Sequence, residues 1–355
     1  MVSFLDRAAV RNQGPSSERP GGENLPGADR GESPSTEQWL QWLLVENPLS
    51  TSASEHGLCI RDASGDIMGL LLAFPAALVA GDRRLVGLGS GSFFVEPPAR
   101  TLGFHLFRKH LSTPGSSFFF STSCNVNSGP LWKAMGAHAV PDSDVEYAFP
   151  LRLDVLLPAY LARRSSSALA ATGARLLGRW ANAFPRLLTR KPATLTIEPC
   201  RDWEKLEELF RRHRPADLIT TDRTAAFLRW RYGESAPNRP FDVCVFRDTQ
   251  GREGWFALGT IRRGQFRGSM LLDAAWPRDT MSFSDIFRAI VSVAASRADA
   301  VYFQPRPRLD YRQCSRWLIP RRLEAPKAFI VTPKGAAPLA TSALDLVSAD
   351  GDLAF

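Results

Sequence analysis

The sequence predicts a layered α/β chain built from two units, each a mixed, mainly antiparallel sheet flanked by helices. Two observations carry this. An order of three strands, helix, strand, helix and strand is legible between residues 36 and 152, and the same order returns in a more degraded form beyond residue 194. Size agrees: 355 residues, 44% apolar and 10% aromatic, are enough for two cores of ordinary dimensions.

Taken in order, residues 1–34 are read as a flexible tail, because 11–34 are rich in Gly, Pro, Ser and charge and bury too little surface to order. Residues 56–61 read as a strand, Asp62 to Asp66 as a hairpin turn and 67–79 as a second strand. A turn at Gly81-Asp82 leads to a third strand ending at Val95. Past a Pro-Pro turn comes a helix, then a short apolar strand at 117–121, and a helix over 127–135 that stops at Gly136. A closing strand follows at 145–151. In the second unit an amphipathic helix (203–212) precedes strands 241–247 and 255–262 about a Gln250-Gly251-Arg252 turn. Strand 269–275, helix 282–296, strand 300–303, a short helix near 311–317 and strand 328–332 complete it.

The stretch Val95-Glu96-Pro97-Pro98-Ala99-Arg100-Thr101-Leu102-Gly103-Phe104-His105-Leu106-Phe107 carries the chemistry. A strand runs through Pro-Pro into Arg-x-x-Gly-x-His at a helix start, where backbone N–H groups and the helix dipole favour an anion. The segment resembles the pyrophosphate-binding motif of the GNAT superfamily of N-acetyltransferases, Gln/Arg-x-x-Gly-x-Gly/Ala, and departs from it at His105. Asn125-Val126-Asn127 to Leu131-Trp132-Lys133-Ala134-Met135-Gly136-Ala137 is similar to that family's N-x-x-A-x-x-L-Y-x-x-x-G-F segment. Phe227-Leu228-Arg229-Trp230-Arg231-Tyr232 resembles a segment of tandem GNAT-like proteins found with bacterial polysaccharide and envelope biosynthesis, as does the ending through Asp350-Gly351-Asp352. These resemblances imply two GNAT-like units, 35–152 binding acyl-CoA and 194–355 degenerate, since the second cradle position reads Trp276-Pro277-Arg278-Asp279-Thr280 without glycine.

The resemblance implies acetyl-CoA or another acyl-CoA as cosubstrate, held by Val95, Arg100, Thr101, Leu102, Gly103, Phe104, His105 and Asn127. The side chain of His105 must either turn away or fill part of the cradle. The expected activity is transfer of an acyl group to the amine of a small acceptor such as an amino sugar or amino acid. A general base needs a carboxylate or imidazole near the splayed strands, for which Glu96, Glu146 and His105 are the candidates, and Cys124 or Tyr147 is placed to protonate the departing thiolate. Arg229, Arg231 and Tyr232 are candidates for holding the acceptor. Two alternatives stand beside this reading: an inactive tandem scaffold, and a Fem-type aminoacyl transferase.

Composition narrows the field. Five cysteines (Cys59, Cys124, Cys200, Cys244, Cys314) are widely spaced without a Cys-x-x-Cys pair, which predicts free thiols, no metal and a cytoplasmic setting. No segment approaches the length of a membrane span. The net charge of +8 is concentrated in residues 153–193 and their flanks: Arg152, Arg163, Arg164, Arg175, Arg179, Arg186, Arg190 and Lys191 face a single acid, Asp154. No groove-reading motif accompanies them, so nucleic acid is not expected. The segment reads as basic amphipathic linker helices, with Leu176, Trp180, Phe184 and Leu187 opposite the arginines. The preferred expectation is a brace whose apolar face packs between the units; peripheral contact with an anionic membrane is the alternative.

Overall fold

The computed structural model describes residues 35–351 apart from 53, 163–167, 184, 186–193, 238–239, 264, 305–313, 315–316 and 347–349. The expected tail, Phe184, Leu187, most of the short helix near 311–317 and Asp352 lie outside the described residues. The chain opens with helix α1 (Thr36–Leu40), continued by a π-helical turn at Gln41–Val45, and enters strands β1 (Gly57–Arg61), β2 (Ile67–Ala80) and β3 (Arg83–Val95). Helix α2 (Arg100–His110), β4 (Phe119–Ser121), α3 (Ser128–Ala134), β5 (His138–Ala139) and β6 (Val145–Pro150) follow. Two helices, α4 (Leu153–Ala162) and α5 (Ala168–Ala181), lead to β7 (Leu195–Pro199), α6 (Trp203–His213), β8 (Ile219–Thr221) and α7 (Ala225–Tyr232). The remainder is β9 (Phe241–Asp248), β10 (Glu253–Arg263), β11 (Phe266–Ala275), α8 (Phe283–Ala294), β12 (Ala300–Phe303), β13 (Ile319–Arg322), β14 (Phe329–Val331) and β15 (Leu344–Asp345).

These elements make two sheets of mixed direction. The first has the order β15-β8-β2-β3-β4-β14-β5, with β1 also paired to β2, and the second the order β13-β6-β12-β11-β10-β9-β7. Each has a parallel step in its middle, β3 with β4 and β11 with β12, and β15 also runs parallel to β8 at the edge of the first. One core fills the space between the sheets, where Leu72, Phe74 and Phe120 meet Trp255, Met270 and Leu272 with residues of α6 and α7. A second core lies under α8, and a third under α2 and α3. The layered fold class read from sequence is the one observed.

The sheets exchange strands. The strand read as closing the first unit, β6, lies in the second sheet, antiparallel to β12 and β13; β14 takes the corresponding place in the first sheet between β4 and β5. Both are short strands with apolar residues to bury, and nothing in their pattern specifies which neighbour they join. The exchange carries Glu146 and Tyr147 away from the first sheet. Glu146 is buried and pairs with Arg263 at 2.7 Å and Arg321 at 3.5 Å, and Tyr147 packs on the core under α8.

The linker departs from the expected brace. Helix α5 turns its smallest residues to α4: Ala174 is buried, and at Gly178 any Cβ would stand 2.6 Å from the Leu153 carbonyl. Asn182 closes the hairpin, accepting the Leu153 N–H at 2.7 Å through Oδ1 and donating through Nδ2 to Asp154 at 2.8 Å. Because the glycine-alanine face makes the contact, the leucine-tryptophan face points outward, and Trp180 is 83% exposed.

The shared core and exchanged strands join the two halves, and an aromatic clasp adds to them. Trp42, beside α1, and Trp230 on α7 stack with centroids 4.6 Å apart, and each indole N–H donates to the other's carbonyl, at 2.9 and 2.8 Å.

Candidate functional site

The first sheet opens in its middle. Strands β3 and β4 pair only at Leu88 with Phe119 and Gly89 with Phe120. Beyond Gly89 the ladder between them ends, because β3 is bulged: Leu70 pairs with Phe94 and Leu72 with Gly91, so Ser92 and Phe93 together oppose Leu71. Ser92 adopts φ 45°, the left-handed region that a serine enters only under constraint. The opening is a cleft of about 190 Å³ lined by Leu71, Ser90 to Phe93, Phe107, Ser121, Ser123, Cys124, Asn125, Ser128 and Trp132. Its walls are aromatic and its polar groups are hydroxyls, an amide and backbone, the composition of a site for an uncharged arm with amide groups.

At one end of β3 the chain turns through Glu96 and a 3-10 turn at Pro97–Ala99 into α2. No side chain caps the start of this helix, where Ala99 holds the cap position. Arg100, Thr101 and Leu102 of its first turn are exposed, Arg100 makes no ion pair among the described residues, and Gly103 lies against Val95 and Phe93 on the bulged strand. Positive helix dipole and guanidinium therefore face solvent together beside the cleft, a combination that suits a phosphate. His105 is exposed, edge-on to Phe104, and does not line the cleft.

The other candidates divide. Cys124 lines the cleft and is 2% exposed; Glu96 sits half-buried at the turn, its N–H donating to the Met68 carbonyl. Asn127 is exposed and does not line the cleft. Its neighbours Asn125 and Ser128 do, and Asn125 Oδ1 accepts the N–H groups of Asn127 and Ser128 at 2.9 and 3.0 Å. Tyr147 belongs to the second sheet, so it cannot join Cys124 and Glu96 as a set. The acceptor set is likewise dispersed by the helical period of α7. Arg229 pairs with Glu204 in solvent at 2.9 Å, Arg231 is buried with its guanidinium 5.1 Å from the Trp42 ring, and Tyr232 is 1% exposed with its hydroxyl 3.4 Å from Asp273.

One cleft group is not evident from sequence. Ser90 Oγ lies 2.6 Å from Nε2 of His110, which projects from the last turn of α2 into the core beneath the cleft, 1% exposed. Burial among Phe107 and Phe119 lowers the imidazole pKa from 6.5 to about 4, so it is neutral near pH 7. A histidine in a helix otherwise ending Arg-Lys-His looks like dipole compensation, and only the three-dimensional register with Ser90 reveals the pair.

The second sheet repeats the scaffold but closes its helix start. Strand β11 is parallel to β12 and carries a register shift opposite Ala257 and Leu258, as β3 does. Helix α8, however, is closed by a capping box in which Ser282 and Asp285 satisfy each other's backbone, and Trp276 is buried, its indole N–H donating to the Met281 carbonyl at 3.1 Å. The chain's own carboxylate occupies the place an anion would take.

This architecture, mixed sheets flanked by helices with one sheet parted beside an uncapped helix start, matches the fold of GNAT-like acyltransferases. No protein-family model matches the sequence, and no curated protein matches it significantly. Among solved structures it is similar to Saccharomyces cerevisiae N-myristoyltransferase with bound myristoyl-CoA and inhibitors, at TM-score 0.52 and 11% identity, over 88% of this chain and 78% of that one. A second structure of that enzyme with myristoyl-CoA gives TM-score 0.51 and 12% identity over 84% and 72%. A probable N-acyltransferase from Enterococcus faecalis is matched at 0.48 and 9% identity over 76% of this chain, which spans 60% of that protein. At such identities the likeness defines the fold.

Proposed function

We propose that the chain is an acyl-CoA-dependent N-acyltransferase whose single cosubstrate site is the cleft between β3 and β4, and whose acceptor is a small amine such as an amino sugar or amino acid of polysaccharide or envelope assembly. The observation that carries this is the coincidence of the parted strands with the uncapped, arginine-bearing start of α2. The diphosphate of acetyl-CoA or another acyl-CoA meets the helix start and Arg100, and the pantetheine amides pair with the backbone of β3 that β4 leaves. The thioester then lies near the bulge. An amine nitrogen attacks the carbonyl carbon, the C–S bond breaks, CoA leaves as thiolate, and the nitrogen loses one proton.

In this reading Ser90 is placed to donate to the thioester oxygen as it gains charge, and His110 positions that hydroxyl. An imidazole held to a pKa of about 4 is a weak proton acceptor, so orientation suits His110 better than general-base catalysis. Cys124 remains the candidate to return a proton to the thiolate, and Glu96 the carboxylate nearest the cradle. The scaffold reading draws on one specific feature: among the described residues no carboxylate lines the cleft.

Free-thiol detection with acetyl-CoA and a panel of amino sugars and amino acids separates the two. The transferase reading expects amine-dependent thiol release that Ser90→Ala slows by roughly a hundred- to a thousandfold, the range for removal of an oxyanion donor. Acyl-CoA binding without amine-dependent release across the panel supports the scaffold.

A further inference from the structure

The α4–α5 hairpin presents an apolar face that no described residue covers. Leu176, Leu177 and Trp180 of α5 are 56%, 64% and 83% exposed, and Tyr160 of α4 is 51% exposed. Among well-packed soluble surfaces such residues occur singly; here three share one helix face over five positions. Arg175 and Arg179 are also exposed and, at about 100° per residue, adjoin Leu176 and Trp180 at the edge of that face instead of lying opposite them as expected. Small residues make the contact with α4, so the hairpin is held by backbone approach and by Asn182, and Leu176, Leu177 and Trp180 stay exposed.

We propose that this hairpin docks the protein on an anionic membrane surface, with Trp180, Leu176 and Leu177 entering the headgroup boundary and Arg175 and Arg179 meeting lipid phosphates. Tryptophan is favoured at that boundary, and flanking arginines add a charge term that apolar burial alone lacks. Charge decides against the other occupants. A two-fold contact between copies through this face sets like arginines beside one another, and the one acid of the hairpin, Asp154, is already held by Asn182 and Arg152. The tail carries acids and bases in similar number and offers no compensating excess of negative charge. No described helix is long and apolar enough to cross a membrane, so the contact is peripheral.

Vesicle flotation of the full chain tests this, using phosphatidylcholine alone and phosphatidylcholine mixed with phosphatidylglycerol, at low and high salt. The expected result is flotation with the anionic vesicles only, weakened by salt. The double variant Arg175→Glu/Arg179→Glu should lose on the order of thirtyfold in partitioning, from about fivefold for each basic side chain, and Trp180→Ser should lose roughly tenfold. Both variants should keep the wild-type circular dichroism and melting profile, because the altered side chains are exposed. No flotation, equal flotation with neutral vesicles, or variants that float like the wild type would overturn the proposal. So would a dimer by light scattering that Trp180→Ser dissociates, or flotation that survives both variants and disappears when residues 1–34 are removed.

Discussion

Arg223→Ala is expected to destabilise the fold by about 3–5 kcal/mol, the usual cost of removing one partner from a buried ion cluster. Arg223 and its partners are 2% exposed or less in their side chains. Its Nε donates to Asp273 at 2.8 Å, its second terminal nitrogen pairs with Asp350 at 2.7 Å, and the third donates to the Thr221 carbonyl at 2.8 Å. Burial alone lowers a guanidinium pKa, but Asp273 and Asp350 outweigh it and hold Arg223 charged. Alanine leaves two carboxylates facing each other in the core. The cluster also anchors Asp350, and the next residue, Gly351, runs so close to Thr122, just after β4, that any Cβ would overlap the hydroxyl. Urea unfolding followed by tryptophan fluorescence measures the loss, and a loss below about 1 kcal/mol would mean the carboxylates reach water or share a proton at little cost.

His110 makes acid stability the second large effect. Between pH 6.5 and about 4 the unfolded chain binds a proton at this position that the folded chain refuses, so protons favour unfolding over that interval. The stabilising contribution is complete above pH 6.5 and is lost as the pH falls to about 4, on the order of 3 kcal/mol for the full shift. His110→Phe, which suits the surrounding rings of Phe107 and Phe119, removes the titration. Urea midpoints at pH 7 and pH 4 should therefore fall further in the wild type than in His110→Phe, by about that amount. An equal fall in both proteins would show that the imidazole takes up its proton within the fold.

The strands were legible wherever the hydrophobic period was long and a turn residue marked its end. Ala300–Phe303 was read to the residue, and β2, β3, β9, β10 and β11 to within a few positions. Strands β7, β8, β13 and β15, of two to five residues, are too short to show a period and were not read. Which sheet a short strand joins is a tertiary choice, so the exchange of β6 and β14 was invisible, and with it the removal of Tyr147 from the candidate site. The cradle was legible because Pro-Pro, arginine and Gly103 lie side by side in the chain. Ser90 and His110, twenty residues apart, meet only through the packing of α2 on β3. The brace failed for a simpler reason: a helical wheel locates an apolar face but not its neighbour, and Ala174 and Gly178 allowed a closer contact than Trp180 could.

Isothermal titration of acetyl-CoA and longer acyl-CoAs into the full chain tests the central claim most directly, with Arg100→Ala and Arg278→Ala as the paired variants. Arg278 belongs to the stretch that sequence reading aligned with the cradle, and its guanidinium lies 4.8 Å from the Trp276 ring. One site per chain is expected, weakened by about 1.5–3 kcal/mol in Arg100→Ala, as for the loss of a charged hydrogen bond, and unchanged in Arg278→Ala. Absence of binding, or an equal loss in both variants, would contradict a single acyl-CoA site between β3 and β4.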